Sequence, residues 1–111
     1  RAEDLAQISE WRSSFDYVCS RAVASLNVLL EYAVPFLKIN GLAYLYKGPE
    51  YEEEIKQSQN ALNTLGAEVK EVIDLDVPGL EAERYLIIIE KNAPTAKKYP
   101  RRAGIPKKRP L

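Results

Sequence analysis

The chain has 111 residues, enough for one small domain with a modest core, and 16 Lys plus Arg offset 16 Asp plus Glu for a formal net charge of zero. It holds no histidine and one cysteine, which excludes a Ser/His/Asp triad, a Cys/His nucleophile, a His-based metal site and an intrachain disulfide. Hydrophobic residues make up 46% of the chain and charged ones 29%, a globular balance, and its longest apolar runs are only a few residues against the roughly 20 that span a bilayer.

Residues 4–11 read as a short amphipathic helix. Phe15–Ser20 is a β-branched and aromatic run too short for a stable helix, and it predicts a buried strand with Cys19 inside it as a packed residue and not a nucleophile. Ser25 is placed to N-cap a helix whose apolar positions Leu26, Leu29, Leu30, Ala33 and Leu37 recur at helical spacing until Gly41. Pro35 lies inside that span and kinks the helix or begins a second short turn, because proline has no backbone N–H to donate. Residues 42–46 form a second strand, apolar on both faces, and the helical crossover implies that it runs parallel to the first.

A second helix covers 50–65. Glu50, Glu52, Glu53 and Glu54 sit at its positive end as a solvated helix start, with no metal assigned to them, and Gly66 follows its C-terminus. Over 69–77 the odd positions Val69, Ile73, Leu75 and Val77 alternate with Lys70, Val72, Asp74 and Asp76, which predicts a half-buried strand with those odd positions inward. Pro78-Gly79 turns the chain, and 84–91 carries five apolar or aromatic residues in succession, read as a fully buried last strand. Strand, helix, strand, helix, strand, strand is an α/β layout.

Charge divides the chain unevenly. From Lys91 onward eight basic residues occur with no acidic one, a segment of +8 against −8 for the rest. Four prolines after residue 91 prevent this segment from extending the sheet, so we expect a domain over 1–91 and a basic proline-rich tail over 92–111. Such a tail reads either as a disordered solubility arm or as contacts to RNA phosphates, with Tyr99 as a stacking platform.

The spelling of the tail, Pro94-Thr95-Ala96-Lys97-Lys98-Tyr99-Pro100-Arg101-Arg102-Ala103-Gly104-Ile105-Pro106-Lys107-Lys108-Arg109-Pro110-Leu111, closely resembles the C-terminal signature of the bacterial 16S ribosomal RNA (guanine-N7) methyltransferases, also known as the glucose-inhibited division protein B family. Arg1-Ala2-Glu3-Asp4-Leu5 and Cys19-Ser20-Arg21-Ala22-Val23-Ala24-Ser25-Leu26 agree with the same family. The resemblance covers the whole chain but only the C-terminal half of the family's methyltransferase domain. The absence of methionine and the start on Arg1 fit that reading, and we expect the chain to be a fragment of a longer, cytoplasmic protein.

The resemblance implies a class I, Rossmann-like fold that uses S-adenosylmethionine to methylate one guanine at N7 in 16S ribosomal RNA. The four strands would be the fourth to seventh of that sheet, the last antiparallel and inserted between its two predecessors. It also implies cofactor contacts at Ala2, Glu3 and Arg21, where the bland readings are a helix-dipole role for Glu3, worth about 0.3–1 kcal/mol, and a surface salt bridge for Arg21. RNA contacts are expected at Lys97, Lys98, Tyr99, Arg101, Arg102, Lys107, Lys108 and Arg109, with the tail laid in a defined path over the sheet. No catalytic side chain is assigned and none is needed: N7 carries a lone pair and no proton, so the methyl transfer requires no general base. The family's glycine-rich loop is missing among the five glycines, which predicts half a pocket and no turnover by this chain alone. Its first strand would then expose an edge through which the fragment dimerises or aggregates. Two other readings stand beside this one, a non-catalytic RNA- or ribosome-binding module on a degenerate methyltransferase fold and a small-molecule methyltransferase, the latter disfavoured by the basic tail.

Overall fold

The computed structural model describes residues 12–20, 24–75 and 84–111. The helix expected over 4–11, the Pro78-Gly79 turn, and Ala2, Glu3 and Arg21 all lie outside the described residues.

Strand β1, Phe15–Ser20, has the predicted bounds. It leads to helix α1, Leu26–Ala33, and then to a 3-10 turn at Val34–Phe36 that opens with Pro35, so the proline starts a new turn instead of kinking one long helix. Strand β2, Leu37–Lys47, begins five residues before the expected start. Its opening is irregular: Phe15 aligns with Leu37 and Tyr17 already with Leu42, so residues 38–41 bow out against a single residue of β1. Asn40 there has φ 72°, and a Cβ on Gly41 would meet the Lys38 carbonyl oxygen at 2.9 Å and those of Asp16 and Phe15 at 3.1 Å.

The helix expected over 50–65 is two, α2 at Tyr51–Gln57 and α3 at Gln59–Leu65, joined at Ser58, whose hydroxyl donates to the Glu54 carbonyl at 2.7 Å. Gly66, at φ 81°, ends α3 in the left-handed conformation and donates its N–H to Leu62. Strands β3, Ala67–Asp74, and β4, Tyr85–Lys91, follow, and a single turn, α4 at Ile105–Lys108, lies in the tail.

The sheet order is β1-β2-β4-β3, with β1 parallel to β2, as the helical crossover predicted, and β4 antiparallel to both neighbours, as the family resemblance implied. Helices α1 and α3 cover one face, where Leu26, Leu29, Leu30, Leu37, Leu45, Leu62, Leu65, Ile87 and Ile89 form the buried core.

Three expectations about burial are corrected. β1 is largely exposed and Cys19 with it, because an edge strand has one neighbour to hide against and its alternate side chains point to the open face. β4 alternates, with Ile87, Ile89 and Lys91 buried and Leu86, Ile88 and Glu90 half-buried, since helices pack only one side of it. In β3 a bulge between Val69 and Glu71 shifts the phase, so Val72 joins Val69 against the core and Ile73 is turned outward, 37% exposed.

Candidate functional site

Two parallel strands ending side by side make the end of the sheet where open α/β folds bind ligands. Here those ends are Ser20 of β1 and Lys47 of β2. Lys47 is buried at 6% exposure; its ammonium donates to the Ala24 carbonyl at 3.0 Å and pairs with Glu54 Oε1 at 2.8 Å. The same carboxylate oxygen accepts the backbone N–H of Leu26 at 3.0 Å. One ion pair with a buried lysine thus pins the descending arm of the connection between β1 and α1, the connection that contains position 21.

The opposite end of the sheet, where β1 and β2 begin, receives the tail. Lys91 closes β4 there, 1% exposed, its ammonium donating to the Leu37 carbonyl at 2.8 Å and to Ser13 Oγ at 3.3 Å. Burial, reinforced by the nearby positive charge of Arg12, lowers the Lys91 pKa to about 8. Arg12 gathers three tail carbonyls, Thr95 at 3.0 Å, Ala96 at 2.7 Å and Tyr99. Thr95 Oγ1 donates to the Leu65 carbonyl at 2.7 Å, and Asn92 and Ala93 donate their N–H groups to Gly66. The tail then crosses to α1, where both oxygens of the fully buried Glu31 are taken by Arg101: Oε2 accepts the backbone N–H at 2.7 Å and Nε at 3.0 Å, and Oε1 accepts Nη2 at 2.7 Å. Arg101 Nη2 also donates to the Arg109 carbonyl at 2.6 Å, closing the tail on itself around α4. These bonds with Glu31 raise the Arg101 pKa.

The tail therefore follows a defined path, but over the helices α3 and α1 and not over the sheet. The acceptors that can hold it, the Leu65 carbonyl and the Glu31 carboxylate, lie on that helical layer. Of the eight residues expected to meet RNA, Lys97, Lys98, Arg102, Lys107, Lys108 and Arg109 are exposed. Tyr99 is 9% exposed and belongs to the core, with the Lys98 ammonium 5.3 Å from its ring centroid, so its ring offers no open stacking face. Arg101 is committed to Glu31. None of these exposed cations takes part in the Lys47–Glu54 pair at the ligand-binding end.

Glu31, Arg12 and Lys91 escaped the reading of the sequence as anchors. The available signal for Glu31 was a single charged residue within the apolar run of α1 and the turn after it. An apolar cleft of about 270 Å³ also opens between β1 and α1, lined by Val18, Cys19, Ser20, Ala24, Leu29, Tyr32, Ala33 and Phe36. Among the described residues it has no charged side chain to hold a polar cofactor.

The sequence profile of rRNA small subunit methyltransferase G (GidB) matches residues 1–85. Proteins named ribosomal RNA small subunit methyltransferase G are similar along the full chain: that of Alkaliphilus oremlandii is 44% identical over 111 residues, and that of Desulfitobacterium hafniense 50% over 112. The chain spans 46% of the length of each. Among solved structures, M1.HpyAVI superposes with a TM-score of 0.57 at 15% identity, covering 82% of this chain and 49% of that one. The TYW2 protein of M. jannaschii in complex with AdoMet gives 0.51 at 17%, covering 78% and 43%. Both share the mixed sheet, which is that of a class I methyltransferase. A profile match across most of the chain, with relatives of the same name aligned along all of it, makes this protein a member of the rRNA small subunit methyltransferase G family.

Proposed function

We propose that this chain is the C-terminal half of an S-adenosylmethionine-dependent methyltransferase that modifies N7 of a guanine in 16S ribosomal RNA, in the cytoplasm. The observation that carries the reading is the pinned connection at the carboxyl ends of β1 and β2, which the Lys47–Glu54 pair and the Ala24 carbonyl hold at the ligand-binding end of a methyltransferase sheet.

S-adenosylmethionine would supply an electrophilic methyl on sulfonium. The described residues fit one wall of its site and no more: they provide strand ends and a braced connection, but no carboxylate set for a ribose and no glycine-rich turn. Ala2, Glu3 and Arg21 are the proposed cofactor contacts on this chain, and the other wall is proposed to come from the half of the domain that the relatives have and this sequence does not. Alignment and exclusion of water are then the tasks of the complete pocket, since N7 needs no proton removed.

The RNA contacts proposed for the tail are Lys97, Lys98, Arg102, Lys107, Lys108 and Arg109. Tyr99 and Arg101 drop out because both are taken up inside the protein. The division at residue 91 is accordingly one of role, a sheet that forms the pocket wall and a tail that grips substrate. We further propose that two copies of this 111-residue chain associate through the exposed β1 edge, where Tyr17 is 65% exposed; a monomer in sedimentation at micromolar concentration would refute it.

The deciding experiment is transfer of labelled methyl from S-adenosylmethionine to 16S ribosomal RNA, comparing this chain with one extended upstream to the length of the relatives. N7-methylguanine from the extended protein only is the expected result. No transfer by either, with salt-sensitive RNA binding retained, would favour the non-catalytic module.

A further inference from the structure

We infer that Glu31 is a positioning residue for RNA binding: its buried carboxylate fixes Arg101 so that Arg102, Lys107, Lys108 and Arg109 form one rigid phosphate anchor against α1. The inference rests on the proposed RNA-binding role of the tail and adds the device that gives the tail its shape.

Glu31 is fully buried on a helix whose other inward residues are apolar, and both of its oxygens are satisfied from Arg101. Because Oε2 takes the backbone N–H as well as the guanidinium, Glu31 fixes the course of the main chain at residue 101. The guanidinium, held on its other side by the Arg109 carbonyl at 2.6 Å, ties the far end of the cationic segment to the near end. Between these ties, Ile105–Lys108 forms a helical turn, closed by Arg109 donating its N–H to Ile105 at 2.8 Å, and Lys107, Lys108 and Arg109 are exposed around it. Cations held in place lose less freedom on meeting phosphates than cations on a free chain, so the anchor binds more tightly for the same charge.

Charge counting and positioning predict opposite signs. Replacing Glu31 removes a negative charge and releases Arg101, so electrostatics alone demands tighter RNA binding by Glu31→Gln. Positioning demands weaker binding. The Arg101→Lys variant preserves charge while losing the forked, planar geometry, so charge counting expects no change and positioning expects a loss.

The test is titration of the 111-residue chain against a fluorescent 16S ribosomal RNA transcript at several salt concentrations, with tryptic cleavage after residues 101 and 102 followed in parallel. We expect roughly tenfold weaker binding for both Glu31→Gln and Arg101→Lys, faster cleavage of the tail, and a salt slope close to that of the unaltered chain. Unchanged or tighter binding by Arg101→Lys, which retains the ion pair and so decides even where Glu31→Gln fails to fold, would overturn the inference. A triple variant, Arg102→Ala with Lys107→Ala and Lys108→Ala, tests the underlying reading separately: full RNA affinity there would overturn the role of the tail, whatever Glu31 does to its cleavage.

Discussion

Glu54 caps a helix to which it does not belong: its carboxylate reaches from α2 to the backbone N–H of Leu26, 3.0 Å away, at the first turn of α1. Ser25 occupies the N-cap position but spends its hydroxyl on Asn27 Oδ1 at 2.6 Å and makes no side-chain cap. Ser25→Ala is therefore expected to cost only a few tenths of a kcal/mol, below the usual value for a serine cap. Glu54→Ala removes the cap and strands the buried Lys47 ammonium together, for about 2–3 kcal/mol. Urea unfolding midpoints of the two variants compare these values directly.

Lys91 makes stability depend on alkaline pH. Its folded pKa is about 8 against an ordinary 10.5, lowered first by burial and then by Arg12, so between those two values the unfolded chain holds a proton that the folded chain has released. Stability must rise with pH across that window, because the unfolded state binds more protons there. The contribution is about 2 kcal/mol between pH 7.5 and 9.5. Lys91→Met, which has no proton to lose, is expected to show that much less gain when denaturant unfolding is measured at both pH values.

Gly66 and Gly48 predict a contrast. Gly66 has φ 81°, and a Cβ there would meet the Ala93 carbonyl oxygen at 2.7 Å, whereas nothing lies within 4 Å of one on Gly48. Gly66→Ala should cost about 2 kcal/mol or more, through strain at the C-terminus of α3 and through displacement of the tail where Asn92 and Ala93 bond to Gly66. Gly48→Ala should stay within about 0.5 kcal/mol. Thermal unfolding of the pair is sufficient.

The bulge in β3 can be checked with two truncations. Val72 packs against the core and Ile73 does not, so Val72→Ala is expected to destabilise by about 1 kcal/mol and Ile73→Ala by less than about 0.5. An unbulged strand would reverse that order.

Much of this architecture was legible because local pattern and tertiary role coincide in it. The bounds of β1, the parallel pairing of β1 with β2, the left-handed stop at Gly66 and the insertion of β4 follow from residue order together with the family resemblance. What escaped depends on contacts distant in sequence. The period-two reading of 69–77 put Ile73 inward, and only the one-residue excess opposite Ile88 and Ile89 reverses it. Tyr99 and Arg101 look, by composition, like RNA contacts; a core pocket for the ring and a buried acid 70 positions earlier change their meaning. A lone Glu in the apolar run of α1 was a faint mark of that acid, since a buried carboxylate must find a partner.

The position of β4 governs when this protein can fold. It is the last strand in the chain yet lies inside the sheet, between β2 and β3, so those two strands have no partner along their facing edges until residues 85–91 have been synthesised. The bonds from Arg12 to the tail span 83 to 87 positions, and they too must wait. A nascent chain emerging from N- to C-terminus therefore holds the facing edges of β2 and β3 open until β4 has emerged. Slow translation across 75–91 would lengthen that exposure, and chaperone engagement should be greatest there.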